Sequence, residues 1–161
     1  MTKSSPTSSR LRLEDLYTPE ILALATAIPH IGALDAPHGE GLAHSRLCGS
    51  RLRAQVRLDE AGRVAALAQE VHACALGQAA AAIVGRQATG CALEDLQQGR
   101  AALHAMLKEG VSPPRAGRWR ELEALLPVRD YPPRHDAVLL PFDAAIAAVR
   151  QALEKRRDGA A

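Results

Sequence analysis

Aromatic side chains are nearly missing from this sequence: one Trp, two Tyr and one Phe make up 2% of its 161 residues. A core without large anchors must come from Leu, Ala, Val and Ile, whose small volumes let helices and sheet approach closely. Cysteine is scarce as well. Three thiols are too few, and odd in number, for the disulfide framework of a small secreted scaffold. They are read as free thiols or metal ligands in a reducing compartment. Neither sign of charge dominates, with 20 basic and 18 acidic residues and a formal net charge of +2. That balance excludes the concentrated basic surface that phosphate backbones require, so no nucleic-acid partner is expected. No apolar run is long enough to span a membrane, and Met1 to Arg10 is Ser/Thr-rich without the apolar stretch of a signal peptide. A soluble, cytoplasmic protein with no membrane partner is expected.

What is present suits one domain. The 47% hydrophobic content is that of a globular chain. Residues 1–12 read as a disordered leader with nothing to bury, and residues 13–155 as a single domain. Thr18-Pro19-Glu20 reads as a helix start, followed by Ile21, Leu24, Ala25 and Ile28 on one helical face and closed by Pro29. After a Gly/Pro loop the period changes. Residues 51–58 alternate strictly, with Leu52, Ala54, Val56 and Leu58 on one face and Arg51, Arg53, Gln55 and Arg57 on the other. A turn at 59–62 and a second strand from Arg63 to His72 make an antiparallel pair, and Leu42 to Leu47 supplies a third strand. The rest is helical: an Ala-rich buried helix from Ala75 to Arg86, a second ending near Gly110, and a short one around Trp119 to Leu126. A last helix begins near Arg134, with Pro141 expected to kink it or delay its start. The sequence predicts an α+β fold, a small three-stranded antiparallel sheet packed by helices.

Two cysteines stand where the backbone would present them. Cys48 precedes Gly49 between two predicted strands, and Cys74 lies where a strand meets a helix. The positive end of a helix dipole favours the thiolate, the form that binds metal or accepts sulfur. If the flanking strands are sheet neighbours, both thiols emerge at one end. Free cysteine is more often a small buried hydrophobe, and the spacing lacks the CxxC and HxxxH pairs of strong metal motifs. Cys91 has no evident partner and reads as incidental. His72 and Cys74, two apart, could form a Cys–His nucleophile pair, but no third group to orient the base is evident. His30, His38, His44 and His104 read as surface or loop residues.

Four segments, in order, resemble one family. Leu16-Tyr17 with the helix to Ile28 is similar to the opening helix of the NifU N-terminal, IscU and SufU iron–sulfur cluster assembly scaffolds. Leu47-Cys48-Gly49-Ser50 resembles that family's Cys-Gly-Asp loop. Residues 73–80 resemble its second cysteine motif, a thiol running into a small-residue helix. Residues 127–134, continuing to Leu140-Pro141-Phe142, resemble its C-terminal signature. The likeness spans about residues 13–153, and order with spacing makes it specific for fold.

The resemblance implies a cluster or zinc held by three cysteines and a fourth ligand. Cys48 and Cys74 match the first two cysteines. Ser50 replaces the loop aspartate, and the third cysteine falls on Ala137, which has no donor atom. Asp136 occupies the preceding position, a histidine in the IscU branch, with His135 beside it. The implied metal ligands are thus Cys48, Cys74, His135 and Asp136, a set compatible with zinc or with a mixed-ligand cluster. The expected function is a divergent bacterial cluster scaffold or sulfur acceptor that binds a transient iron–sulfur cluster, or iron. It is not an enzyme beyond a sulfur-accepting thiolate at Cys74. Implied partners are a cysteine desulfurase, acceptor apo-proteins, and a second copy of the chain in a homodimer that shares the site. The alternative is a zinc-stabilised or metal-free relative that acts by protein–protein binding.

Overall fold

The computed structural model describes residues 13–47 and 49–160. Helices α1 (Leu13–Leu16) and α2 (Pro19–Ala25) lead into strands β1 (Gly39–His44), β2 (Arg51–Leu58) and β3 (Val64–His72). Helices α3 (Ala75–Gln87) and α4 (Leu93–Lys108) follow. A 3-10 stretch at Arg120–Asp130, a short 3-10 turn at Pro132–Arg134 and the long α5 (His135–Ala160) complete the chain. The expected α+β fold is the observed one, with a three-stranded antiparallel sheet in the order β1-β2-β3.

The α2 start is built as its residues dictate. Thr18 is the N-cap, its Oγ1 accepts the Ile21 amide at 3.1 Å, and Pro19 needs no amide in the first turn. The helix ends at Ala25, three residues before Ile28, where Thr26 turns its hydroxyl back onto the carbonyls of Leu22 and Ala23. In β2 Leu52, Ala54, Val56 and Leu58 are all buried as the alternation requires, but Gln55 on the opposite face is buried too, its Oε1 accepting the Leu34 amide.

β1 is displaced from the expected Leu42–Leu47 strand and runs over Gly39–His44 instead. The reason is tertiary. A Cβ on Gly41 would overlap the Ala144 carbonyl oxygen and lie 2.6 Å from the Ala148 amide. One on Gly39 would lie 2.7 Å from the Ala152 amide. The two glycines let β1 lie directly on the alanine-rich face of α5, a contact that local β propensity cannot foresee.

The segment around Trp119 also differs from the expected short helix and is 3-10. Pro127 removes an amide inside it, so one hydrogen bond of any continuous helical ladder is missing there. Pro141 does not delay α5, which starts six positions earlier at His135 and carries Pro141 inside it. The core joins all layers. Trp119 and Phe142 meet edge to face with centroids 5.0 Å apart, and Gly99 of α4 leaves the space for both rings. No helix among the described residues is long and apolar enough to cross a membrane.

Candidate functional site

Strand register decides which loops meet. His44 of β1 stands opposite Arg51 of β2, and Arg51 stands opposite His72 of β3. The β1–β2 hairpin and the chain leaving β3 toward Cys74 therefore emerge from the same end of the sheet. The hairpin is tight: the Ser45 amide donates to the Ser50 carbonyl at 2.8 Å, and the Gly49 amide to the Ser45 carbonyl at 3.1 Å. Gly49 takes φ 73°, the left-handed region that favours glycine. Cys48 lies outside the described residues. Ser50 is buried, and Ser45 is buried with no partner for its hydroxyl among the described residues. Nothing in the local sequence singles out the Ser45 hydroxyl, which its burial in the hairpin brings to notice.

Cys74 is the N-cap of α3, partly buried, and its thiol makes no capping hydrogen bond. Its carbonyl accepts the Gln78 amide at 2.9 Å, while the Gln78 side chain donates to the Ala73 carbonyl at 2.9 Å. The start of α3 is thus held in place on both sides of the cysteine. One turn on, Gly77 faces the first turn of α5: a Cβ there would lie 3.3 Å from the Ala137 carbonyl oxygen. Ala137 itself is buried. The site end of the sheet, the α3 start and the α5 start therefore converge.

The two other ligand candidates have different surroundings. Asp136 is exposed, and with Ser45, Arg46, Leu47 and Asp143 it lines a cleft of about 390 Å³ between the hairpin and α5. His135 is buried, with Nε2 3.0 Å from the carbonyls of both Val128 and Arg129, and Nδ1 3.4 Å from Lys108 Nζ. Two carbonyl acceptors assign the proton to Nε2 and leave Nδ1 to accept from the lysine. Both ring nitrogens are thereby engaged in joining the 3-10 stretch, α4 and α5. Among the described residues no three His, Cys, Asp or Glu side chains group closely enough to hold a metal ion.

The remaining candidates take other roles. His72 is exposed, and no third group orients it toward Cys74 among the described residues. Cys91 is fully buried, with its thiol 3.2 Å from the Gln87 carbonyl. Burial pushes that thiol up to about 11, against the pull of the Arg118 guanidinium. Cys91 is a core residue, protonated at neutral pH.

No protein-family model matches the sequence, and no curated protein does. Among solved structures, the N-terminal part of a nitrogen-fixing NifU-like protein from Brucella abortus is 38% identical, with a TM-score of 0.83. The match covers 89% of this chain and 98% of that one. A candidate iron–sulfur cluster assembly scaffold protein for the SUF system, from thermophilic Fervidobacterium islandicum AW-1, is 19% identical with a TM-score of 0.75. That match covers 83% of this chain and 96% of that one. A hypothetical protein at 21% identity has a TM-score of 0.74, over 84% of this chain and 97% of that one. The last two share the fold, whereas the first shares sequence over nearly its whole length, so the chain belongs to the NifU N-terminal-like family.

Proposed function

We propose that this chain is a divergent iron–sulfur cluster assembly scaffold that carries its cluster, as cargo, at the hairpin end of the sheet. The observation that supports this reading most is the placement of Cys74. Its thiol is uncapped at the start of α3, beside the hairpin that carries Cys48 in sequence and across from the α5 start with Asp136. Cys48 and Cys74 serve as thiolate ligands and Asp136 as the oxygen donor. His135 joins only through Nδ1, the nitrogen without the proton, and so only by displacing the Lys108 ammonium that it accepts from. A site with few strong donors holds a cluster loosely, which suits transfer to an acceptor apo-protein.

Sulfur reaches such a site by exchange. The Cys74 thiolate attacks the outer sulfur of a persulfide on a cysteine desulfurase, the S–S bond breaks, and the desulfurase cysteine leaves as a thiolate. Cys74 is then the persulfide. The test is anaerobic reconstitution with iron and sulfide, read by visible absorption and by iron and acid-labile sulfide content. The wild type should take up a cluster, and Cys48→Ala and Cys74→Ala should each lose it.

A second reading is favoured by one observation: Ala137 supplies no donor at the position that the sequence resemblance aligns with the family's third cysteine. In that reading zinc, or no metal, serves the fold, and binding to partner proteins is the function. Colourless protein with stoichiometric zinc, and a melting temperature lowered by chelator, would select it over the scaffold.

A further inference from the structure

The outer face of the sheet is covered at one end and open at the other. The chain after Pro29 first pairs with the free edge of β3, where the Gly32 amide donates to the Gln69 carbonyl, and then crosses the face at Gln55 and Arg57. There the Leu34 amide donates to the Gln55 side chain and Arg57 to the Asp35 carbonyl. At the hairpin end a groove of about 360 Å³ lies open, lined by two cross-strand rows: His44, Arg51 and His72, then Leu42, Arg53 and Glu70. Leu42 is 70% exposed, and Leu47 at the hairpin tip is 72% exposed, the two highest values of any large hydrophobic among the described residues.

The unpaired charge beside this groove is basic. Its two carboxylates, Glu40 at 3.8 Å and Glu70 at 3.2 Å, both pair with Arg53. Arg46 and Arg51 are exposed and have no carboxylate partner among the described residues, and neither do His44 and His72. An exposed leucine in an open groove, beside an arginine with no carboxylate partner among the described residues, offers a binding segment both an apolar and a charged contact. The chain's own ends do not complement it: residues 1–12 carry Lys3, Arg10 and Arg12 with no acid, and residues 155–157 are Lys-Arg-Arg. A second copy meeting this face symmetrically would set arginine against arginine.

We propose that this face receives an extended acidic segment of a partner protein, carrying an apolar side chain between carboxylates. The apolar side chain meets Leu42, and a carboxylate meets Arg51, which His44 and His72 flank. The docked segment lies beside the hairpin and two residues from Cys74, so a partner held there overlies the candidate cluster site. The proposal goes beyond the scaffold reading and does not need it, because binding is read without a cluster.

The experiment is an amide-resolved NMR titration of the apo-protein with a Glu-Leu-Asp-Leu-Glu peptide, alongside its Lys-Leu-Lys-Leu-Lys counterpart. Shifts should be confined to residues around Leu42, His44, Arg51 and His72, and should appear with the acidic peptide only. Arg51→Glu should weaken binding about tenfold, the loss of one close charge pair and its reversal. Leu42→Asp should weaken it as well, and added salt should weaken wild-type binding. Both substitutions are at exposed positions, so the fold is kept, and unchanged spectra elsewhere verify that. Equal response to the two peptides, or shifts on another face, overturns the proposal. So does concentration-dependent self-association that Leu42→Asp abolishes, which would make the occupant a second copy.

Discussion

Gly77 of α3 and Ala137 of α5 face each other so closely that a Cβ on the glycine would lie 3.3 Å from the alanine carbonyl oxygen. That carbonyl is the one whose helical donor would be the amide of residue 141, and residue 141 is a proline. The two helix starts that flank the candidate site are thus pressed together where α5 lacks one hydrogen bond. The lack of a side chain at 77 brings the Cys74 turn and the first turn of α5 side by side.

Gly77→Ala tests that contact. Its Cβ would also lie 2.8 Å from the Ala73 Cβ, so the segment leading into Cys74 has to move. The helix-propensity gain of alanine, about 1 kcal/mol, is outweighed by overpacking of about 1–3 kcal/mol. The urea midpoint should fall, and cluster loading should fall with it although no thiol has been removed.

Ala137→Cys adds a thiol at the position that the sequence resemblance aligns with the family's third cysteine. Because Ala137 is 1% exposed, the added sulfur should cost about 1 kcal/mol or more of stability in the apo-protein. On the scaffold reading the reconstituted variant should lose its cluster to a chelator more slowly than the wild type. Unchanged release would count against ligation at this end of the sheet.

Cys91→Ala separates the core thiol from the site. It should cost about 1–2 kcal/mol by cavity formation and leave metal or cluster uptake unchanged. It should also change the alkaline limb of stability. The native thiol ionises at about 11 and its ordinary value is 9.0, so across that window the unfolded state binds fewer protons than the native one. Stability contributed by the buried neutral thiol is complete below pH 9 and is lost as pH rises toward 11, by on the order of 2 kcal/mol. Denaturant melts at stepped alkaline pH should show that loss in the wild type and a smaller one in the variant.

Gly41→Ala should be the most damaging of these single changes. The new Cβ would overlap backbone, the Ala144 carbonyl, rather than a flexible side chain. A loss of about 3 kcal/mol or more is expected, read as a lowered melting temperature or as insoluble expression.

Asp95→Ala removes a cap. The Asp95 carboxylate accepts the Ala92 amide at 2.9 Å at the start of α4 and pairs with Arg63 at 3.3 Å. That amide bond, ahead of the neighbouring arginines, holds its carboxyl below the ordinary range. Its contribution is present above about pH 4 and is lost as pH falls through the lowered native value. Chemical denaturation at pH 7 should show a cost of about 1 kcal/mol that shrinks in acid.

Much of this protein could be read from its sequence where a local rule acts alone. The alternation over 51–58 gave β2 and its buried face, because a period of two has only one way to bury four apolar residues in a sheet. Thr18 with Pro19 gave the α2 start, and the order of the cysteine motifs with the C-terminal signature gave the family. Tertiary structure decided the rest. β1 lies at Gly39–His44 because α5 needs two glycines against its alanines, and no strand propensity announces that. α5 runs through Pro141 because packing on β1, β2 and α3 outweighs one lost hydrogen bond. At the site, the sequence named Cys74 as a matched ligand and offered Asp136 or His135, without choosing between them, to complete the set. The fold leaves the Cys74 thiol uncapped, exposes Asp136 to a cleft beside the hairpin, and ties both nitrogens of His135 into hydrogen bonds. Those differences depend on what each side chain meets across the chain, which spacing along the sequence does not encode.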